Sequence, residues 1–173
     1  MVNQPAYNPN NRGDLKPSHM RNRAVTDVFE PGSTAKPFTI AAALESGRYR
    51  PDTLVDTTPG WHKVSGKTIR DLRNLGIIDV ATVLRKSSTV GASKIALTLP
   101  AQSLWSMFTQ VGFGTQSGIG FPGESTGSLA HYSTWHPIEQ ATLSYGYGLA
   151  TTALQLAHAY SAVAADGVLR PLG

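Results

Sequence analysis

The chain has 173 residues, which is enough for one domain with a buried core and too few for two comfortable ones. Fifteen Lys and Arg against eleven Asp and Glu leave a formal net charge of +4, and because these charges are not interleaved with aromatic residues, we expect no nucleic-acid partner. The absence of cysteine excludes disulfides, thiolate metal sites and thiol nucleophiles, and the five histidines have no metal-ligand spacing, so we expect neither a metal nor another cofactor.

The first predicted elements are a loop and a helix. Residues 1–23 are rich in Asn, Pro and Arg and have almost no apolar periodicity, so they are predicted to form a loop or the frayed end of a strand. From Pro37 a run dense in Ala and Leu predicts a helix that begins at or near Ser33 and exits at Gly47.

The segment 48–78 contains short β-like pieces at 53–56 and 67–69, separated by Pro and Gly. This pattern predicts a small excursion with a hairpin. Near its end, Asp71 and Arg73 are predicted to hold a turn by pairing locally.

Helices dominate the rest of the chain. They are predicted from 78 with Asp79 as N-cap, from Gly91 after a tight connection at 88–90, across 101–112 with a Gly112 exit, from about Pro137, and from Thr151 or Thr152 to Gly167. A glycine-rich loop at 114–129 interrupts them. Because the helices of a mixed domain need a sheet to cover, we expect most of the sheet to be missing from these residues.

The stretch EPGSTAKPF at 30–38 places a hydroxyl three residues before a lysine. At the start of a helix, Ser33 and Lys36 would lie on one face, so the lysine could act as the base that a serine nucleophile needs. Free N–H groups at the helix start would favour an oxyanion. The alternative is an N-capping serine beside a solvated lysine, because Ser-x-x-Lys often occurs by chance.

A longer set of motifs extends this pattern: TIRDLRN, KSSTVGASKIAL, VGFG, GFPGES and SYGYGLATTALQLAHAYSAVAADG. Together with EPGSTAKPF, they resemble the transpeptidase domain of the class B, division-type penicillin-binding proteins of Gram-negative bacteria, the septal peptidoglycan D,D-transpeptidases. The resemblance runs over nearly the whole chain. It implies an α/β (α+β) fold like that of the serine β-lactamases, with helices flanking an antiparallel sheet.

The resemblance also implies the roles of individual residues. Ser33 matches the acylated nucleophile, Lys36 the lysine that takes its proton, and Ser87 the serine that relays a proton to the leaving nitrogen. Ser88 and Thr89 complete the second motif, where Thr89 stands in place of the family's asparagine. Tyr145 and Tyr147 are candidate substrate-binding residues at the border of the cleft, with packing struts as the alternative.

The family's third motif, Lys-Ser/Thr-Gly, is not found: SGKT at 65–68 and KVSG at 63–66 have the wrong order or position. We therefore expect residues 1–173 to be a partial transpeptidase domain, truncated at both ends, without the family's membrane anchor and pedestal domain. The resemblance implies a location at the periplasmic face of the inner membrane. It also implies peptidoglycan stem peptides ending in D-Ala-D-Ala, β-lactams and division membrane proteins as partners.

Three functions fit these residues. The first is the transpeptidase, in which Ser33 forms an acyl-enzyme. The second is a serine β-lactamase, which needs a deacylating base; Glu124, in a glycine loop, is the candidate for that base, but we expect it to be structural. The third is a non-catalytic binding or assembly module.

Overall fold

The computed structural model describes residues 4–8, 10–11, 13 and 16–172. Eight α-helices lie within these residues: α1 Pro17–Met20, α2 Arg23–Thr26, α3 Lys36–Glu45, α4 Val80–Arg85, α5 Thr89–Thr98, α6 Ala101–Gln110, α7 Pro137–Leu143 and α8 Ala153–Ala164. Six short strands accompany them: β1 Val28–Phe29, β2 Leu54–Asp56, β3 Trp61–Val64, β4 Lys67–Arg70, β5 Ile77–Asp79 and β6 Thr151–Thr152.

The strands form three separate antiparallel pairs, β1 with β6, β2 with β5, and β3 with β4. In the first pair, Val28 lies opposite Thr152, so this pair joins the segment before Ser33 to the start of α8. The β3–β4 pair is the expected hairpin. Within the described residues the strands form no larger sheet, which confirms the expectation of an incomplete one.

One strand and one helix boundary differ from the prediction. The predicted strand at 53–56 pairs with β5, a strand that the sequence did not indicate because Ile78 was assigned to the following helix. That helix, α4, starts at Val80 instead of 78, and Asp79 caps it as predicted by accepting a hydrogen bond from the Thr82 N–H at 2.6 Å.

The opening segment also differs from its prediction. Residues 1–3, 9, 12, 14 and 15 lie outside the described residues, but the described remainder of 1–23 contains α1 and the first residue of α2 where a loop was expected. Pro17 occupies the first turn of α1, a position where proline's fixed φ favours a helix.

The main core lies where α3 packs against α5 and α6. Phe38 of α3 makes an edge-to-face contact with Phe113, with ring centroids 5.4 Å apart, and both side chains are buried. Burial of side chains of this size stabilises a fold by ~1.5–3 kcal/mol each. The first turn of α3, which carries Lys36 and follows directly after Ser33, is therefore anchored to the centre of the domain.

Helix α5 begins two residues earlier than predicted, at Thr89, with Ser88 as its N-cap. Its first turn lies so close to α4 that a Cβ atom on Gly91 would come within 2.6 Å of a Val83 methyl carbon. This close approach sets the position of the connection that carries Ser87.

No helix in the described part of the chain combines the length and the hydropathy needed to cross a bilayer.

Candidate active site

Ser33 lies on a 3₁₀ turn, Gly32–Ala35, directly before α3, and its side chain is exposed. It lines a cleft of about 590 Å³. The other lining residues come from the end of β4, the segment after it and the α4–α5 connection: Arg70, Asp71, Leu72, Arg73, Leu75, Lys86, Ser87 and Thr89. The first and second motifs therefore share one cleft.

Lys36 begins α3, and only 1% of it is exposed. Its Nζ donates to the Ser87 carbonyl oxygen at 2.5 Å, to Ser87 Oγ at 3.0 Å and to Thr89 Oγ1 at 3.2 Å. A lysine ammonium has three N–H donors, so these bonds use all of them. The alternative of an N-capping Ser33 beside a solvated lysine is wrong, because Lys36 is buried and Ala35 precedes α3.

Burial lowers the pKa of Lys36 from 10.5 to about 8, and the negative charge of Asp71 opposes part of this shift. About a tenth of the amine is then neutral at pH 7, far more than for an exposed lysine. A neutral amine among hydroxyl groups can accept a proton. The cleft therefore holds an amine that is partly neutral near pH 7.

Ser87 connects this amine to the open cleft. Its hydroxyl accepts a hydrogen bond from Lys36, which leaves its own O–H available to donate into the cleft. Among the described residues the Ser33 hydroxyl makes no hydrogen bond, so it has none to Lys36. Ser87 is thus the group placed to pass a proton between Lys36 and a molecule bound at Ser33.

The connection around Ser87 has an unusual backbone. Ser87 has a φ of +54°, in the left-handed region, which costs a residue other than glycine ~1–2 kcal/mol. Asp71 holds this connection by accepting hydrogen bonds from Ser88 Oγ at 2.6 Å, from the Thr89 N–H at 2.6 Å and from the Val90 N–H at 3.0 Å.

This role of Asp71 corrects the predicted local pairing with Arg73. The partners of its carboxylate lie 17 to 19 residues away on α5. A carboxylate at a helix start satisfies free N–H groups and the helix dipole. No spacing rule links residues so far apart, so the sequence alone carried no signal for this contact.

The other two residues of the second motif, Ser88 and Thr89, have different positions relative to the cleft. Ser88 is 1% exposed, and its hydroxyl also accepts from the Gly91 N–H at 2.8 Å, so it lies behind the cleft as a helix cap. Thr89 lies in the cleft, where its hydroxyl accepts from Lys36. At the position where the family has asparagine, the shorter Thr89 side chain thus already accepts a hydrogen bond from Lys36.

Tyr145 and Tyr147 lie on the turn that follows α7, with ring centroids 5.8 Å apart. Tyr145 is half-buried beside Val64 and Ile69, and its burial raises the pKa of its hydroxyl. Neither ring is among the residues that line the cleft. The backbone between them does reach the site, because the Gly32 N–H donates to the Gly146 carbonyl at 3.1 Å.

Two other sequence features lie away from the cleft. Glu124 accepts a hydrogen bond from the Ser117 N–H at 2.5 Å and orders its glycine-rich loop. The letters SGKT at 65–68 belong to the turn and second strand of the β3–β4 hairpin and are not among the cleft residues. Within the described residues, no group of three His, Cys, Asp or Glu side chains could hold a metal ion.

Comparison with known proteins gives consistent similarities. The family model described as the penicillin-binding protein transpeptidase domain matches residues 1–173. The chain is 44% identical over 172 residues to the probable peptidoglycan D,D-transpeptidase PbpC of Pseudomonas aeruginosa, covering 99% of this chain and 30% of that protein. It is 41% identical over 172 residues to the peptidoglycan D,D-transpeptidase FtsI of Escherichia coli, covering 99% of this chain and 29% of that protein.

A solved structure, the apo transpeptidase domain of penicillin-binding protein 3 from Burkholderia pseudomallei, superposes with a TM-score of 0.86 at 48% identity, over 88% of this chain and 46% of that one. These similarities confirm the resemblance and the fold expected from the motifs. The chain spans 29–30% of the length of the two curated relatives.

Proposed function

Because the chain belongs to the penicillin-binding protein transpeptidase family, we propose that it carries the nucleophile, base and proton relay of a peptidoglycan D,D-transpeptidase. The observation that carries this proposal is the buried Lys36, which is hydrogen-bonded to Ser87 and Thr89 in the cleft that Ser33 lines. The substrate is a stem peptide ending in D-Ala-D-Ala, and its cross-linking serves septal cell-wall synthesis.

The first half of the reaction forms an acyl-enzyme. Ser33 Oγ attacks the carbonyl carbon before the terminal D-alanine, and its proton passes to the neutral form of Lys36. Ser87 then donates a proton to the leaving nitrogen as the C–N bond breaks, and Lys36 restores the proton to Ser87. D-Alanine leaves with its amine intact, and an ester joins Ser33 to the peptide.

The second half reverses these roles. The amine of a neighbouring stem peptide attacks the ester carbonyl, its excess proton passes through Ser87 and Lys36 to Ser33 Oγ, and the new amide is the cross-link. In both halves the oxyanion forms beside the 3₁₀ turn at Gly32–Ala35, where the N–H groups of a helix start lack intrahelical acceptors.

β-Lactams present a reactive amide of similar shape to the same serine, so they acylate Ser33. We infer that the protein works at the periplasmic face of the inner membrane, where stem peptides occur, in contact with division membrane proteins. Both inferences rest on the family and on the chemistry of the substrate.

Intact-protein mass spectrometry after incubation with a fluorescent penicillin tests the proposal, with the protein made at its full natural length. A one-to-one adduct is expected in the wild type and is expected to be absent in Ser33→Ala. Thr34→Ala is the matched control, since the Thr34 hydroxyl already donates to the Pro31 carbonyl at 2.6 Å, and it should keep the adduct.

Two other outcomes would overturn the proposal. Rapid release of the adduct with turnover of the penicillin would indicate a β-lactamase. A wild-type protein that is folded by circular dichroism but never acylated would indicate a binding or assembly module.

A further inference from the structure

Three cationic residues line the Ser33 cleft. Arg70 ends β4, Arg73 follows in the next segment, and Lys86 follows the last turn of α4; we call these three residues the cationic wall. All three side chains are exposed. Among the described residues none of them makes a salt bridge or a side-chain hydrogen bond, so their donors face the cleft without a partner.

The positive charge of the cationic wall is not neutralised by a free carboxylate among the described residues of the cleft. The one carboxylate among the described residues that line the cleft is Asp71, and it is occupied by donors from Ser88, Thr89 and Val90 at the start of α5. Cations gathered in a concave site attract anions more strongly than cations scattered on a surface. Arginine also presents a planar fork that fits a carboxylate with two hydrogen bonds.

An apolar surface lies between the two arginines. Leu72 is completely exposed, at 108% of its reference area, and lines the same cleft as the half-buried Leu75. A large apolar side chain at the mouth of a cleft contributes contact area to a bound molecule. The wall therefore suits a ligand with an aliphatic stem and a carboxylate, which are properties of an acidic peptide.

The volume of the cleft indicates which carboxylate is recognised. About 590 Å³ is within the range that holds a drug-sized ligand, of order 300–1,000 Å³, and therefore more than one terminal alanine. The cleft therefore also has room for the residues of a bound peptide that precede the bond attacked by Ser33. Their side chains can then approach the cationic wall while their carbonyl faces Ser33.

We propose that the cationic wall is a specificity-determining subsite that binds a side-chain carboxylate of the donor peptide, at a residue before the bond that Ser33 attacks. This inference rests on the proposed function. It assigns a substrate preference to Arg70, Arg73 and Lys86: a donor that carries an additional carboxylate reacts faster than the same donor without it.

Benzylpenicillin and carbenicillin test this, because they differ by one carboxylate on the side-chain carbon and share the carboxylate on the fused ring. The quantity measured is the ratio of their second-order rate constants of acylation, carbenicillin over benzylpenicillin, for the full-length protein. In the double variant Arg70→Gln, Arg73→Gln, the ratio should fall roughly 5-fold, within the range that exposed ion pairs give. Lys86 is left unchanged because it adjoins Ser87.

The double variant Arg48→Gln, Arg50→Gln is the matched control. It removes the same charge from the turn after α3, at the opposite end of that helix from Ser33, and should leave the ratio unchanged. Raising the salt to about 1 M, where the screening length is ~3 Å, should move the wild-type ratio towards that of the cleft variant.

The remaining outcomes are distinct. An equal fall in both rate constants would mean that the arginines bind the ring carboxylate that both penicillins share, which would overturn the side-chain assignment. Unchanged rate constants in the cleft variant would overturn the subsite altogether. If neither penicillin acylates the folded wild type, the proposed function itself fails, and this inference fails with it.

Discussion

The Asp71 carboxylate accepts a hydrogen bond from the Ser88 hydroxyl at 2.6 Å and thereby joins the segment after β4 to the start of α5. This contact holds the connection in which Ser87 takes its left-handed backbone conformation. Ser87 in turn provides two of the three acceptors of Lys36. The geometry of the hydrogen bonds between Lys36 and Ser87 therefore depends on a carboxylate that makes no hydrogen bond to the lysine.

Asp71→Asn should change both the rate and the pH dependence of acylation. The amide keeps one acceptor oxygen but loses the charge, so charge-assisted hydrogen bonds to α5 weaken; we expect about a tenfold lower maximal acylation rate, or ~1.4 kcal/mol. Because the Asp71 charge raises the pKa of Lys36, its removal should shift the midpoint of the pH–rate profile below about 8. The second-order acylation rate constant measured against pH checks both effects.

Asp79→Asn is the control for that variant. Asp79 caps α4 in the same way, with a bond of 2.6 Å from the Thr82 N–H, but it is not among the charges that act on Lys36. It should change stability little, because asparagine caps a helix about as well as aspartate, and it should leave the midpoint in place. An equal shift of the midpoint in both variants would contradict the electrostatic role of Asp71.

Lys36→Met should abolish acylation and change how stability depends on pH. The pKa of Lys36 is about 8 when folded and near 10.5 when unfolded, so between these values the unfolded chain binds more protons. The free energy of unfolding of the wild type should therefore rise, relative to the variant, as the pH increases from about 8 to 10.5. Denaturant unfolding of both proteins at several pH values measures the difference, and a constant difference would contradict a buried, desolvated lysine.

Thr89→Asn should speed acylation. The longer amide side chain can accept from Lys36 as Thr89 does and can also donate from its NH₂ to a substrate carbonyl. A gain on the order of 10-fold to 100-fold is expected if this resembles restoring one transition-state donor. Thr89→Val is the companion variant: it removes the acceptor, leaves one ammonium proton of Lys36 unpaired, and should slow acylation. If asparagine gives no gain, the threonine hydroxyl already performs the role.

Gly146→Ala should disrupt the turn that carries Ser33. The added Cβ would lie 2.0 Å from the Gly32 carbonyl oxygen, so either the turn at Gly32 or the turn at Gly146 must move. Gly148→Ala is matched to it, since Gly148 also has a positive φ, of +89°, but its Cβ would meet no atom closer than 3.8 Å. In both variants the alanine bears ~1–2 kcal/mol of backbone strain. Gly146→Ala should lose more stability than this strain accounts for and should also lose acylation, whereas Gly148→Ala should not. Thermal unfolding and acylation rates of the pair separate the clash from the strain.

Local signals predicted much of the helical structure. The end of α3 near Gly47, the cap of α4 at Asp79, the start of α7 at Pro137 and the cap of α8 at Thr152 were each indicated by capping residues and by apolar spacing, and the structure confirms them. The errors include β5 and the start of α5. Both elements depend on partners far along the chain, which local preferences do not report.

By itself the sequence determined the family, the three-residue spacing of Ser33 and Lys36, and the presence of Thr89 where the family has asparagine, because these depend on residue type and on separations within one helical turn or one motif. Only the tertiary structure decided that Lys36 turns towards Ser87 rather than Ser33, that Ser88 is a buried cap, and that Asp71 holds the second motif. It also brought Arg70, Arg73 and Lys86 to the same cleft. These contacts join separate segments of the chain, and packing of the core determines which segments meet.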